Sequence, residues 1–299
     1  MEPTTVGSPR AISLIVNPFA GGGRAGRLLG SVGNALAAHD LPHHVERTTS
    51  LGHARELALA AAAAGEIAVA FGGDGLIGAV AGALKHSDAV LGVLPGGRGN
   101  DLARVLGIPL EPVAACQVLV SGVVRSIDLG EVGGRTFIGI ASCGFDSEAN
   151  RIANQARLIR GNLVYTYGAL RALAGWRRAT FTVTLDGAQP QTVVGYTIAA
   201  ANSKAYGGGM LLAPDASLED GQFDVVMIGH VPKGRFVRLL PGVFKGEHVH
   251  EATVEVARAM QLTIAADRPF TLYADGDPIA ELPVTLHVLP AAVRVLVPS

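Results

Sequence analysis

The sequence predicts an α/β domain followed by a largely antiparallel β domain, and three observations carry that expectation. Up to about Ser126, short apolar runs alternate with helix-forming stretches, the pattern of a parallel sheet covered by helices. Beyond Ser126 the alternation stops and short β-type runs take over. Three glycine-bearing loops, 17–23, 72–75 and 96–99, each follow an expected strand, so they would gather along the carboxyl edge of one sheet, where ligands bind in open α/β folds.

Residues 11–16 form the first apolar run, stopped by Asn17-Pro18 and the glycines after it, and 24–40 has the apolar spacing of a helix. Gly21, Gly23 and Gly26 satisfy the spacing of a dinucleotide fingerprint. Asn17-Pro18 intervenes, however, and the acid expected at the end of the next strand is Glu46, followed by Arg47 and two threonines, which weakens that reading. Residues 44–48 read as a second strand and 54–64 as an alanine-rich helix. The third strand, 67–71, runs into Gly72-Gly73-Asp74-Gly75 and then the small apolar helix 76–84. Such a turn lets backbone N–H groups approach an anion without a Cβ in the way, and the helix dipole adds to the attraction. Asp74 would repel a bare phosphate. It implies a bridging cation such as Mg²⁺, proton transfer or a nucleotide hydroxyl, although a βα turn whose aspartate only caps a helix has the same composition. The fourth strand, 89–94, ends in Pro95-Gly96-Gly97-Arg98-Gly99-Asn100-Asp101.

After Ser126 the expected strands are 136–142, 179–185, 192–201, 223–228, 252–256, 261–266 and 270–274, with a helical insert from Asp146 to about Trp176. From Arg151 to Arg178 the insert carries six arginines and no acid, interleaved with Tyr165, Tyr167 and Trp176. That is either a solvated helix face or a patch for anionic lipid headgroups. The turn 213–224 could hold a hard cation, and its composition is also that of an ordinary β-turn. His248 and His250 lack a third ligand nearby, which argues against a metal.

Composition bounds the rest. The chain has 299 residues, 49% of them hydrophobic, and a formal net charge of −1. A dedicated nucleic-acid binder shows a basic excess that is missing here. Cys116 and Cys143 have no CxxC or CxxH neighbour and read as core thiols in a reducing compartment. With no hydrophobic signal core and no apolar run long enough to span a bilayer, a cytoplasmic location is expected.

Five ordered motifs then carry a resemblance over nearly the whole chain: Asn17-Pro18-x-x-Gly21, Gly72-Gly73-Asp74-Gly75, Pro95-x-Gly97-x-x-Asn100-Asp101, Asp220-Gly221 and Asp275-Gly276-Asp277. Their order resembles the diacylglycerol kinase catalytic family, specifically its soluble bacterial lipid kinases, and is similar to sphingosine and ceramide kinases. Leu289 to Val295 looks like the family's closing strand. The resemblance implies a Rossmann-like α/β nucleotide-binding domain, 1–126 with a strand from about 288–299 returning to it. It implies a β-sandwich lipid-substrate domain over 127–287, with the active site in the cleft between. By the same resemblance Asn17, Pro18, Phe19, Ala20, Gly21, Thr48, Gly72, Gly73, Asp74, Gly75, Arg98, Asn100 and Asp101 bind ATP. Asp277 is the general base, with Asp74 holding Mg²⁺ or itself acting as base. Ser217, Asp220 and Gln222 match a structural Mg²⁺ site held largely through carbonyls. The expected partners are a lipid substrate, an anionic membrane surface met peripherally and, as an open alternative, a second copy in a homodimer.

Departures from the family are also legible. Leu76 replaces a usual threonine, Gly78-Ala79 a usual Asn-Glu pair, Arg98 a threonine and Asp277 a glutamate. An NAD kinase-like enzyme is the alternative within enzymes, but the chain contains no Asn-Glu dipeptide of the kind such enzymes use for the nicotinamide ribose. A non-catalytic nucleotide or lipid sensor is the alternative outside them.

Overall fold

The computed structural model describes residues 11–155 and 163–299. The first half follows the sequence closely. Strands β1 (Ile12–Val16), β2 (His43–Arg47), β3 (Ile67–Gly72) and β4 (Val90–Pro95) pair in parallel in the order β2-β1-β3-β4. Helices α1 (Ala20–Ala38), α2 (Leu51–Ala63), α3 (Asp74–Ala83), α4 (Asp101–Val105) and α5 (Pro112–Ser121) connect or follow them. The inner strands are buried along their whole length, as the continuous apolar runs require, whereas β2 is the exposed edge. Ser50 caps α2 by accepting from the His53 N–H at 3.0 Å, and Glu111 with Pro112 starts α5. α1 becomes regular only after Gly21, Gly22 and Gly23, all at positive φ.

The second half contains β5 (Val123–Val132), β6 (Arg135–Phe137), β7 (Ile140–Gly144), α6 (Phe145–Gln155), α7 (Leu163–Gly175), β8 (Ala179–Leu185), β9 (Gln191–Ala201) and β10 (Phe223–Gly229). It continues with α8 (Lys233–Val243), a 3-10 turn (Glu247–His250), β11 (Val254–Ala259), β12 (Gln261–Ala266), β13 (Thr271–Ala274), β14 (Asp277–Glu281) and β15 (Val284–Val297). Pairing from β5 through β14 is antiparallel. The aromatic core of this half, built on Phe137, Phe181, Tyr196 and Phe223, is separate from the aliphatic core of the first.

Two long strands join the halves. The upper part of β15 lies parallel to β4, with Arg294 opposite Val90, while its lower part is antiparallel to β12. β5 runs antiparallel beside β15 along nearly its full length, so the boundary expected at residue 126 falls inside a strand. The register shifts between Leu289 and Val293, where Ala291 takes φ +48°. There the buried Asp128 carboxylate accepts the Ala291 N–H and the Gly221 N–H, both at 2.7 Å. β15 starts at Val284, before residue 288, and its far end lies against β4.

Candidate active site

The three glycine loops meet. A Cβ on Gly21 would stand 2.5 Å from the Gly96 carbonyl oxygen, and one on Gly97 would stand 2.4 Å from the Gly73 Cα. The Gly96 N–H donates to the Gly72 carbonyl at 2.7 Å. Any side chain at these positions would drive the loops apart, so the cradle is made of backbone. Asn17 closes its own loop by accepting the Phe19 N–H at 3.1 Å, Pro18 accepts the Gly26 N–H through its carbonyl, and Ala20 opens α1. Phe19 is 82% exposed, at the rim rather than in a core. Thr48 is buried at the end of β2, where its hydroxyl donates to the Ser50 carbonyl. Gly75 borders open space and Arg98 is exposed.

The acids and amide of this cluster have definite tasks. Asp74, in the first turn of α3, accepts the Asn100 N–H at 2.8 Å on one oxygen and the Leu102 N–H at 3.3 Å on the other. Asn100, at φ +53° and buried, spends its side chain on Gly97, accepting its N–H at 2.9 Å and donating to its carbonyl at 3.3 Å. It shapes the loop. Asp101 crosses to the second half, where both its oxygens face the Gly208 N–H at 3.1 and 2.9 Å. Burial pushes its carboxyl up, the hydrogen bonds oppose that, and the nearby Asp74 adds to it.

The turn after β13 presents Asp275 inward and Asp277 outward. The Asp275 oxygens accept N–H groups from Ile138 and Gly139 at 2.9 Å and from Ile140 at 3.3 Å. Burial raises its carboxyl to about 6 against these three donors, and the Asp74 charge raises it further. A Cβ on Gly78 would lie 4.0 Å from Asp275, so α3 packs directly beside this turn. Asp277 begins β14 opposite Ala274 and is exposed. The carboxyl of this turn that is buried is that of Asp275, the one wrapped by the β6–β7 connection.

The cation site read at 213–224 is differently engaged. Ser217 accepts the Glu219 N–H, Asp220 accepts the Gln222 N–H, and the Arg258 guanidinium lies 3.8 Å from Asp220 and 3.2 Å from the buried Asp224. Among the described residues no three His, Cys, Asp or Glu side chains are grouped to hold a metal. The side chains of Ser217 and Asp220 thus make local hydrogen bonds within this turn. His248 donates its Nε2–H to the Leu212 carbonyl at 3.0 Å.

A feature missed in the sequence is an apolar cavity of about 530 Å³ between α6, α7 and α8, lined by Phe145, Ala169, Leu240 and Val243 among others. Asp146 lies in its wall; burial raises its carboxyl to about 6, and Thr197 donates to it at 3.2 Å. Its second oxygen has no hydrogen-bond partner among the described residues. The hairpin bridged at Tyr206 and Met210 lines this cavity, and its tip, Gly208, is what Asp101 holds. The only sequence signal was an acid directly after an apolar strand. Of the basic run, Arg157 and Arg160 lie outside the described residues, as does the side chain of Tyr165.

Glycine loops gathered at the carboxyl edge of a parallel sheet, joined to a β-sandwich with its own apolar cavity, make the two-domain arrangement that the comparisons find among lipid kinases. The model of the diacylglycerol kinase catalytic domain matches residues 11–132, and that of the YegS C-terminal NAD kinase beta sandwich-like domain matches residues 139–297. A diacylglycerol kinase of Mycobacterium tuberculosis is 36% identical over 298 residues, 96% of this chain and 95% of that one. One from Bacillus subtilis is 31% identical over 78% of each chain. The crystal structure of a Bacillus anthracis diacylglycerol kinase superposes with a TM-score of 0.75 at 21% identity, covering 96% of this chain and 97% of that one. The chain belongs to the diacylglycerol kinase catalytic family of lipid kinases.

Proposed function

We propose that the protein transfers the γ-phosphate of ATP to the hydroxyl of a lipid such as diacylglycerol. One observation carries this reading: the glycine cradle and the apolar cavity are joined by a single hairpin, the 206–210 segment that Asp101 holds. Phosphoryl transfer depends on positioning and charge stabilisation more than on covalent chemistry. The backbone N–H groups of 21–22, 73–75 and 98–99, with the N-terminus of α3, would receive the phosphates. Asp74 fits a metal-linked role, because each of its oxygens accepts one N–H and an ionised carboxylate has about four lone-pair sites. Mg²⁺ accompanying ATP would neutralise charge on the phosphates. Asp277, exposed on the turn that Asp275 anchors, would accept the lipid hydroxyl proton, and Asp275 would fix the turn. A structural Mg²⁺ near Ser217, Asp220 and Gln222 would rest on carbonyls alone, and no step uses it.

The lipid would enter from a membrane met peripherally. Leu170, Val237 and Phe244 line the apolar cavity and are also exposed, at 55%, 42% and 57%. Apolar side chains at the mouth of an apolar cavity are what a lipid-facing rim needs. Among the described residues no helix is long and apolar enough to cross a bilayer.

The deciding experiment is transfer from γ-labelled ATP into a total lipid extract, with NAD as a parallel acceptor. Label in a lipid supports the reading, label in NADP replaces it with the NAD kinase alternative, and nucleotide binding without transfer to either makes the protein a sensor.

A further inference from the structure

The α6–α7 pair has two cavities, one on each side. Asp146, Ala149, Asn150, Ala169 and Leu170 face the apolar one. Across the same two helices, Glu148, Arg151, Arg171 and Trp176 face a second cavity of about 420 Å³, completed by Arg177 and Arg268. We propose that this second cavity binds a phosphate-bearing anion, supplied either as a phospholipid headgroup or as a free phosphate ester.

Four arginines and one acid line the cavity, and the acid is already used: Glu148 accepts from Arg151 at 2.8 and 2.7 Å. Arg268 is held rigidly. It donates to the carbonyls of Arg178 and Arg177 at 2.7 and 2.8 Å, lies 3.6 Å from Asp267, and stands over the rings of Phe270 and Trp176 at 4.9 and 5.5 Å. The guanidinium groups of Arg171 and Arg177 have no ion-pair or hydrogen-bond partner among the described residues, and both residues are exposed. Cations gathered around one cavity repel one another unless an anion joins them. Guanidinium forks match phosphate oxygens two at a time, which a carboxylate-poor, arginine-rich wall selects for. The indole Nε1 of Trp176, buried in the same wall, has no acceptor among the described residues. The cavity is larger than a phosphate alone needs and has room for its esterified glycerol. It is separate from the glycine cradle, so the assignment does not depend on the catalytic reading.

Trp176 is the only tryptophan of the chain, so its emission reports on this cavity without nucleotide or turnover. The full-length protein is titrated with inorganic phosphate, with glycerol 1-phosphate, and with vesicles of phosphatidylglycerol or of phosphatidylcholine. A saturable emission change with the anions and not with phosphatidylcholine is expected. The Arg171→Ala/Arg177→Ala variant should raise the half-saturation point at least about tenfold, the loss of two charge-assisted contacts. A response to phosphatidylglycerol vesicles alone assigns the site to a membrane headgroup, and one to the soluble esters alone assigns it to a free phosphate. Arg177→Glu, a single exposed change, repeats the comparison if the double variant folds poorly. The proposal is overturned if no anion gives a saturable change, if phosphatidylcholine works equally well, or if folded variants keep wild-type affinity.

Discussion

The carboxylate of Asp101, at the start of α4, grips the backbone N–H of Gly208 from the other domain with both oxygens, at 3.1 and 2.9 Å. Gly207, Gly208 and Gly209 all have positive φ, so the hairpin tip has little rigidity of its own and depends on this anchor. Replacing Asp101 by Ala should speed hydrogen exchange at residues 206–210 by about tenfold, the equivalent of one charged hydrogen bond, while the 12–16 strand stays protected. Unchanged exchange at Gly208 would remove the anchor.

Asp74→Asn should lower turnover at least about 100-fold, by loss of charge stabilisation at the transferring phosphate. Its two acceptor contacts to Asn100 and Leu102 add a structural cost, since one oxygen becomes an NH₂ group facing an N–H. The assay therefore pairs kcat at saturating Mg²⁺ with a thermal melt. Near-normal kcat in a folded variant takes Asp74 out of the mechanism.

Asp277→Asn should cut kcat by about 10²–10⁴-fold with ATP affinity nearly intact, the range of a lost general base. Because Asp277 is exposed and Asp275 carries the turn, the variant should melt as wild type does. If kcat survives, the base lies elsewhere, with Asp74 the next residue to test.

Asp275 makes stability depend on pH. Its folded value, about 6, lies above the ordinary 3.8, so the folded state holds this proton more tightly than the unfolded chain does. The resulting stabilisation is complete below about 3.8 and lost as pH rises through about 6. Asp275 as a residue is only half-buried, but its carboxyl is enclosed by three N–H donors, and the direction follows from the carboxyl. Denaturant unfolding at pH 7 and pH 5 should show wild type gaining more stability on acidification than Asp275→Asn. Equal gains would mean that Asp275 is not shifted.

The glycine loops were legible because their chemistry is local. A glycine at positive φ, or one a Cβ would push from a neighbouring loop, marks its own position in the chain, as Gly21 does. The pairing of β5 with β15 was not legible beyond the closing strand, since nothing in residues 123–132 names a partner more than 150 residues away. Nor could composition tell Asp275 from Asp277. Both flank one glycine, and which of them turns inward is decided by the chain between β6 and β7. α8 was missed for a plainer reason, since it carries Pro241 inside it.

The position of β15 also fixes an order of assembly. At Arg294 and Val295 it lies between β4 and β5, yet in chain order it follows every other described strand. The α/β half emerges first, at a pace of roughly 5–20 residues per second. It must then wait with the edge of β4 unpaired until residues 284–297 have followed. A nascent chain therefore cannot complete its first sheet before β15 has emerged, and deleting residues 284–297 would bare the edge of β4 in a domain that starts at β1.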